Sequence, residues 1–249
     1  MTDVELAAAV AEEAGALLLA LRASGEAEGK ALGKLGDRRS DDLIGARLRA
    51  ARPDDRILSE ESADDHVRLG AERVWIVDPL DGTREYGLEG RPDWAVHVAL
   101  WQRGRGITDA AVAQPALDST YTSEPAALAA TNGKRSILVS DSRPPAWAAG
   151  VADALGARLQ PMGSAGAKAM AVLRGEHDAY VHDGGQWEWD SAAPVGVALA
   201  HGLHASRIDG APLEYNREHP YLPDLVICRP ELADEVLAAI ASTRGLPGA

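Results

Sequence analysis

The chain has 249 residues, 46% of them apolar, enough to bury a core as one large domain or as two closely joined smaller ones. With 38 acidic residues against 25 basic ones its formal charge is −13. That field opposes a nucleic-acid surface, and an anionic substrate would need divalent cations beside it.

The single cysteine, Cys228, excludes an internal disulfide framework and a cysteine-rich zinc site, and suits a reducing cytoplasm. The opening "MTDVELAAAVAEEAGALLLALRA" is apolar, but Glu12 and Glu13 interrupt it and no basic segment precedes it, so neither a signal peptide nor a membrane span is expected. It predicts an amphipathic helix with Leu6, Val10, Ala14, Leu17 and Leu21 on one face and a Thr2-x-x-Glu5 capping box at its start. A second helical pattern runs from about Asp37 to Ala51 and stops before Pro53. Strands are predicted at "RIL" before Ser59, "VWIV" before Asp78, "WAVHVAL" from Trp94 and "GITDAAVAQ" from Gly106. Glu124 to Arg135 has the composition of a connector. Beyond it "SILVS", "AGAKAMAVLRG", "DAYVH", "DSAAPVGVALAHG" and "LVICRPELADEVLAAI" alternate strand and helix. The expected division is an α+β region over residues 1–131 and an α/β region over 132–249, with no internal repeat.

The chemistry concentrates in "WIVDPLDGTREY". A buried strand ending at Asp78, then a turn to Asp81, puts two carboxylates and the Leu80 carbonyl around one small volume, which is unfavourable without a counter-charge. Every plausible ligand there is an oxygen, so Mg²⁺ is favoured over zinc. Gly82 and Thr83 open a helical turn whose free N–H groups favour a phosphate. Glu60 and Glu61 in "ILSEES" and Asp190 in "GGQWEWDSAAP" are further acids at element ends. Taken singly, a loop Glu pair is usually solvated and an Asp before a helix is usually a cap.

Together, "DPLDGT", "SEES" and "WDSAAP" resemble the inositol monophosphatase-like, lithium-sensitive, magnesium-dependent phosphatases, over nearly the whole chain. "GSAGAKAMAVLRGEHDAYVH", "WEWDSAAP" and "DGAPLEYN" are similar to its CysQ-type branch, which acts on 3′-phosphoadenosine 5′-phosphate (PAP). The resemblance implies a layered α/β sandwich (αβαβα), its first sheet antiparallel, with the active site in the cleft between the two regions. It implies that Glu60, Asp78 and the Leu80 carbonyl hold a first magnesium, that Asp78, Asp81 and Asp190 hold a second, and that a third, weaker ion sits near Glu60. Two ions about 4 Å apart would activate a water and stabilise the departing ester oxygen, with no covalent phosphoenzyme.

In the family a Thr–Asp pair orients that water. Thr83 matches the Thr, and Asp37 keeps the family's spacing to Glu60. "KLGDRRSDDL", however, lacks the usual "VT-x-A", which leaves Asp41 and Asp42 as rivals or as first-turn acids of the second helix. The implied reaction removes the 3′-phosphate of PAP to give AMP, with the sulfated analogue as a related substrate, in sulfur assimilation and under lithium inhibition. The alternatives are inositol phosphate or fructose 1,6-bisphosphate as substrate, and a noncatalytic sensor of PAP and metal. A soluble monomer or homodimer with a small-molecule substrate is expected.

For substrate contacts, Gly163 and Ser164 in "GSAGAK" open a helix that could hold a phosphate while Lys168 reaches it as a point charge, or the small residues merely allow close packing. Asp190 and Gly82 with Thr83 would also face the substrate. Tyr215 could contact an adenine, and Asp183 stands where inositol phosphatases carry a sugar-binding Glu. Trp187 and Trp189 wall the site or fill the core, and His201 and His204 lack a third ligand and are expected to be structural. A haloacid-dehalogenase-type phosphatase also sets Asp-x-Asp-Gly-Thr after an apolar strand and attacks with the first Asp, but that position is Pro79 here.

Overall fold

The computed structural model describes residues 1–64, 66–131, 133 and 135–245. The predicted capping box sets the start of α1 (Asp3–Ser24): the Thr2 hydroxyl accepts the Glu5 amide and the Glu5 carboxylate accepts the Thr2 amide. Leu6, Val10, Ala14, Leu18 and Leu21 are buried along it, while Leu17 is only half-buried.

Helix α2 (Gly29–Ala51) starts at Gly29, well before the predicted Asp37. Glycines mask this start because they disfavour helix in isolation. They serve close approach instead. A methyl group at Gly33 would lie 2.7 Å from Thr83 Cγ2, and one at Gly36 would lie 3.0 Å from Leu80 and Tyr86 side-chain atoms. Asp37, Asp41 and Asp42 therefore sit in the helix interior, so the reading of the last two as first-turn acids is wrong.

The first sheet holds β1 (Arg56–Ser59), β2 (Arg73–Asp81), β3 (Ala95–Gln102), β4 (Gly106–Gln114) and β5 (Ser119–Thr122) in that order. It is antiparallel except at one edge, where β1 runs parallel to β2. The short α3 (Thr83–Tyr86) follows β2. The second sheet orders β7 (Arg158–Met162), β6 (Ser136–Ser140), β8 (Ala179–Trp187), β10 (Tyr221–Cys228) and β9 (His204–Ser206). Helices α4 (Ala148–Leu155), α5 (Ala165–Leu173), α6 (Glu188–Ala200) and α7 (Ala233–Arg244) complete the chain. The sequence pattern missed β5, α4, β7 and β9, each short or polar at its ends. Within the predicted connector, Asn132 and Lys134 lie outside the described residues, and the remaining positions before Arg135 carry no helix or strand.

Strand alternation builds the layers. Trp75 and Val77 of β2 pack with α1 and α2, while Val74 and Ile76, on the other face, join Met170 of α5, Val195 of α6 and Tyr180, Leu225 and Ile227 of the second sheet. Val181 and Val226 of that sheet pack outward on Val151 of α4 and Ile240 of α7. The order is helices, sheet, helices, sheet, helices, the layered α/β sandwich that the resemblance implies. No helix among the described residues is long and apolar enough to cross a membrane.

Candidate functional site

The C-terminal end of β2 makes the site. Its register against β3 shifts between Asp78 and Asp81, a bulge that frees Pro79 and Leu80 from the ladder. The Leu80 amide turns back to donate to Asp78 Oδ1 at 3.0 Å, and Ser40 of α2 donates to the Pro79 carbonyl at 2.7 Å. Gly82 has φ 84°, a region costly for other residues, and this turn starts α3 at Thr83. The Thr83 hydroxyl lies 3.1 Å from the Leu80 carbonyl and 3.3 Å from Asp37 Oδ1. Beside it, α6 begins with its Trp187 amide donating to Asp190 Oδ2 at 2.6 Å.

Asp78, Asp81 and Asp190 each present an oxygen within 4.8 Å of the others. Each also has one oxygen held by the protein: Asp78 by the Leu80 amide, Asp190 by the Trp187 amide, and Asp81 by the Ser164 hydroxyl (2.5 Å) and the Gly166 amide (2.7 Å). The second oxygen of each accepts no hydrogen bond among the described residues. Burial and then the charges of Glu60, Asp81 and Asp190 push Asp78 well above the carboxylate range. Burial and the Asp81 charge raise Asp190 to about 7. Burial and the Glu61 charge raise Asp37 to about 7, against its hydrogen bond from Thr83. Glu60 is pushed up to about 8 by lost hydration and by Asp190, Asp37, Asp81 and Glu61. Such a crowd of oxygen donors, with carboxyls forced toward protonation, fits a hard divalent cation.

Asp81 is the exception. Burial raises its pKa, but His97, Lys168 and the Ser164 hydroxyl overcome this and hold it below the ordinary range. His97 escaped the sequence reading, although a histidine at an inward position of the apolar strand "WAVHVAL" has to find polar partners. It is fully buried. Nε2 faces Asp81 Oδ2 at 3.2 Å and Nδ1 faces the Trp189 carbonyl at 3.2 Å, so one ring ties the β2 end to the first turn of α6. A methyl group at Gly166 would sit 2.1 Å from Nε2, so the glycine makes room for the ring. Replacing His97 with Gln should weaken divalent-cation binding about 10- to 100-fold, measured by calorimetric titration of magnesium, while the protein stays folded. Unchanged affinity would remove His97 from the site.

The "GSAGAK" turn departs from expectation. The start of α5, expected to seat a phosphate, already receives an anion from within, the Asp81 carboxylate. The Ser164 hydroxyl donates to Asp81 and accepts the Ala167 amide, and the Gly163 amide donates to Asp93 at 2.7 Å. Lys168 is buried and gives its ammonium to the carbonyls of Ser164 (2.6 Å), Gly163 (3.1 Å) and Met162 (3.4 Å), beneath which lies the Tyr180 ring at 4.9 Å. Burial lowers it to about 8. Lys168 therefore braces the turn and does not reach out as a free point charge.

Two other expectations are corrected. Tyr215 is buried in the core with its hydroxyl 3.2 Å from Ser191, because Glu188 binds the amides of Asn216 and Arg217 and pulls the segment onto α6; it does not line the cleft beside the carboxylates. Asp183 is turned away, tied to Trp147 Nε1 at 2.6 Å and to Arg244 at 3.3 Å. Trp187 stacks on Trp189 (5.5 Å) and His219 (5.7 Å) beside the site, and His201 and His204 bond the Val197 carbonyl and Ser206. The cleft itself, about 270 Å³, is lined by Glu60, Asp78, Leu80, Asp81, Thr83 and Asp190 together with Arg143, Lys168 and residues of β8.

Residues 2–245 match the sequence profile described as the inositol monophosphatase family. A Mycobacterium leprae protein named 3′-phosphoadenosine 5′-phosphate phosphatase is 54% identical over 254 residues, spanning 96% of this chain and 94% of its own. An Escherichia coli protein named 3′(2′),5′-bisphosphate nucleotidase CysQ is 34% identical over 188 residues, spanning 70% and 76%. The crystal structure of CysQ from Bacteroides thetaiotaomicron, a bacterial member of the inositol monophosphatase family, superposes with a TM-score of 0.77 at 24% identity, covering 92% of this chain and 97% of that one, which shows a shared fold.

Proposed function

Because the chain belongs to the inositol monophosphatase family, whose members are metal-dependent, we propose that it is a magnesium-dependent, lithium-sensitive phosphomonoesterase that removes the 3′-phosphate of PAP, giving AMP and phosphate, in the cytoplasmic chemistry of sulfur assimilation. The observation that carries this reading is the carboxylate trio Asp78, Asp81 and Asp190 with the Asp37–Thr83 pair at its edge. The name of the 54%-identical M. leprae relative supports the nucleotide.

Glu60, Asp78 and the Leu80 carbonyl would hold one ion, and Asp78, Asp81 and Asp190 another. When bound, magnesium would polarise the phosphoryl group, ease deprotonation of the attacking water and stabilise the departing ester oxygen. The chain supplies the geometry. Thr83 has one hydroxyl proton and two acceptors, Asp37 and the Leu80 carbonyl, so its oxygen lone pairs are left to accept from a water. Asp37, buried and set by α2, draws the hydroxyl into that orientation and can take a proton onward.

The polyol alternative loses its residue, since Asp183 is occupied by Trp147 and Arg244. The test is phosphate release by purified protein with magnesium from PAP, 3′-AMP, inositol 1-phosphate and fructose 1,6-bisphosphate. PAP should have the highest kcat/KM, and EDTA and lithium should suppress it. Equal or faster inositol 1-phosphate turnover would replace the substrate assignment. Tight PAP binding without release would make the protein a sensor.

A further inference from the structure

We infer that Arg143 is the specificity-determining residue for a second phosphate, the 5′-phosphate of a nucleoside 3′,5′-bisphosphate; this rests on the phosphatase reading above. The cleft lining holds groups of opposite character. Its carboxylates would hold the cations and the scissile phosphate, and of its basic side chains nearly every one is already committed. Arg84 pairs with Glu85 at 2.6 Å and Asp141 at 2.5 Å. Lys168 is spent on three carbonyls. His182 gives its Nε2 hydrogen to the Gly184 carbonyl, and burial holds it neutral.

Arg143 differs. Its backbone is fixed where the chain leaves β6, the Arg143 amide donating to Ser140 Oγ at 3.2 Å, and Pro144 and Pro145 follow. Its side chain is exposed, lines the cleft, and its guanidinium has no hydrogen-bond or ion-pair partner among the described residues. The nearest acid in sequence, Asp141, cannot neutralise it because Arg84 and Arg91 hold that carboxylate. The guanidinium lies against Gly185 of β8. A methyl group there would come within 2.3 Å of Nη1, and with φ 76° that position disfavours any side chain, so the backbone leaves a slot for the arginine.

A free guanidinium is a planar fork suited to a phosphate's oxygens. In a chain of charge −13 it is the one uncommitted cation among the described residues lining this cleft. A bisphosphate offers one phosphate to the carboxylate-held ions and a second to Arg143, whereas a monophosphate seated at the carboxylates leaves Arg143 idle.

The experiment compares PAP with 3′-AMP, which lacks the 5′-phosphate, in wild type, Arg143→Ala and Arg143→Lys. Arg143→Ala should lower kcat/KM for PAP by roughly ten- to 100-fold, mostly through KM, and change 3′-AMP by less than about threefold. Arg143→Lys should recover part of the loss, because it keeps the charge without the fork. An unchanged ratio of PAP to 3′-AMP in Arg143→Ala overturns the inference and leaves the phosphatase standing. Wild-type protein that releases phosphate from neither substrate overturns the parent reading instead.

Discussion

Asp78→Asn is expected to cut magnesium-dependent turnover by roughly 10³-fold while making the metal-free protein more stable at neutral pH. Both effects come from one carboxylate. In the proposed arrangement it is the ligand shared by both ions, so its loss disables both. Without metal it is a buried negative charge facing Glu60, Asp81 and Asp190, which raise its pKa after burial has done so. A carboxyl raised in the folded state contributes stability that is complete below its ordinary value near 4 and is lost as the pH climbs through the folded value. Asp190 and Asp37, both raised to about 7, act in the same direction. In EDTA, wild-type protein should therefore lose stability between about pH 4 and 8, and Asp78→Asn should lose less. Thermal unfolding at pH 5 and pH 8, with and without magnesium, measures this. A folded Asp78→Asn protein with substantial activity would overturn the ligand assignment, and identical pH dependence in EDTA would remove the charge argument.

The second large effect concerns Asp37 and Thr83. Asp37→Asn and Thr83→Ala should each lower kcat by roughly 10²-fold, with little added by combining them, as for groups that orient one water together. Independent, multiplicative losses would argue against a pair. The neighbours separate cleanly. Asp42 is exposed, and Asp41 accepts from Ser59 (2.5 Å) and Ser62 (2.9 Å), holding the segment that carries Glu60 and Glu61. Asp42→Asn should be silent, and Asp41→Asn mild.

Much of the site was legible because its chemistry is local. Asp78, Leu80, Asp81, Gly82 and Thr83 lie on one strand end and turn, so one short motif carries them, and Asp190 reads as the acid of a helix's first turn. The layers were legible more from the resemblance than from periodicity. What stayed hidden depends on contacts between distant segments. A helix start rich in small residues looks the same in sequence whether it seats a substrate's phosphate or the chain's own Asp81, so the pattern alone leaves Gly163, Ser164 and Lys168 between phosphate contact and close packing. His97 looks like one polar residue in a strand until the fold sets its nitrogens between Asp81 and Trp189. Arg143 stands out only once its neighbours prove to be occupied.

The glycine notch of α2 bears on motion as well as on shape. Gly33 and Gly36 sit within a turn or so of Asp37, and each weakens a helix interior by roughly 0.5–1 kcal/mol relative to alanine. Alone, that stretch would fray. It is held by lying flush on the turn at Thr83 and on Leu80 and Tyr86, which in turn need the helix to cover them. The notch and the turn therefore form one cooperative opening unit, whose amides should exchange with solvent at a common rate. An excursion that exposes either one would separate Asp37 from Thr83, so the pair should be lost as a whole when this unit opens.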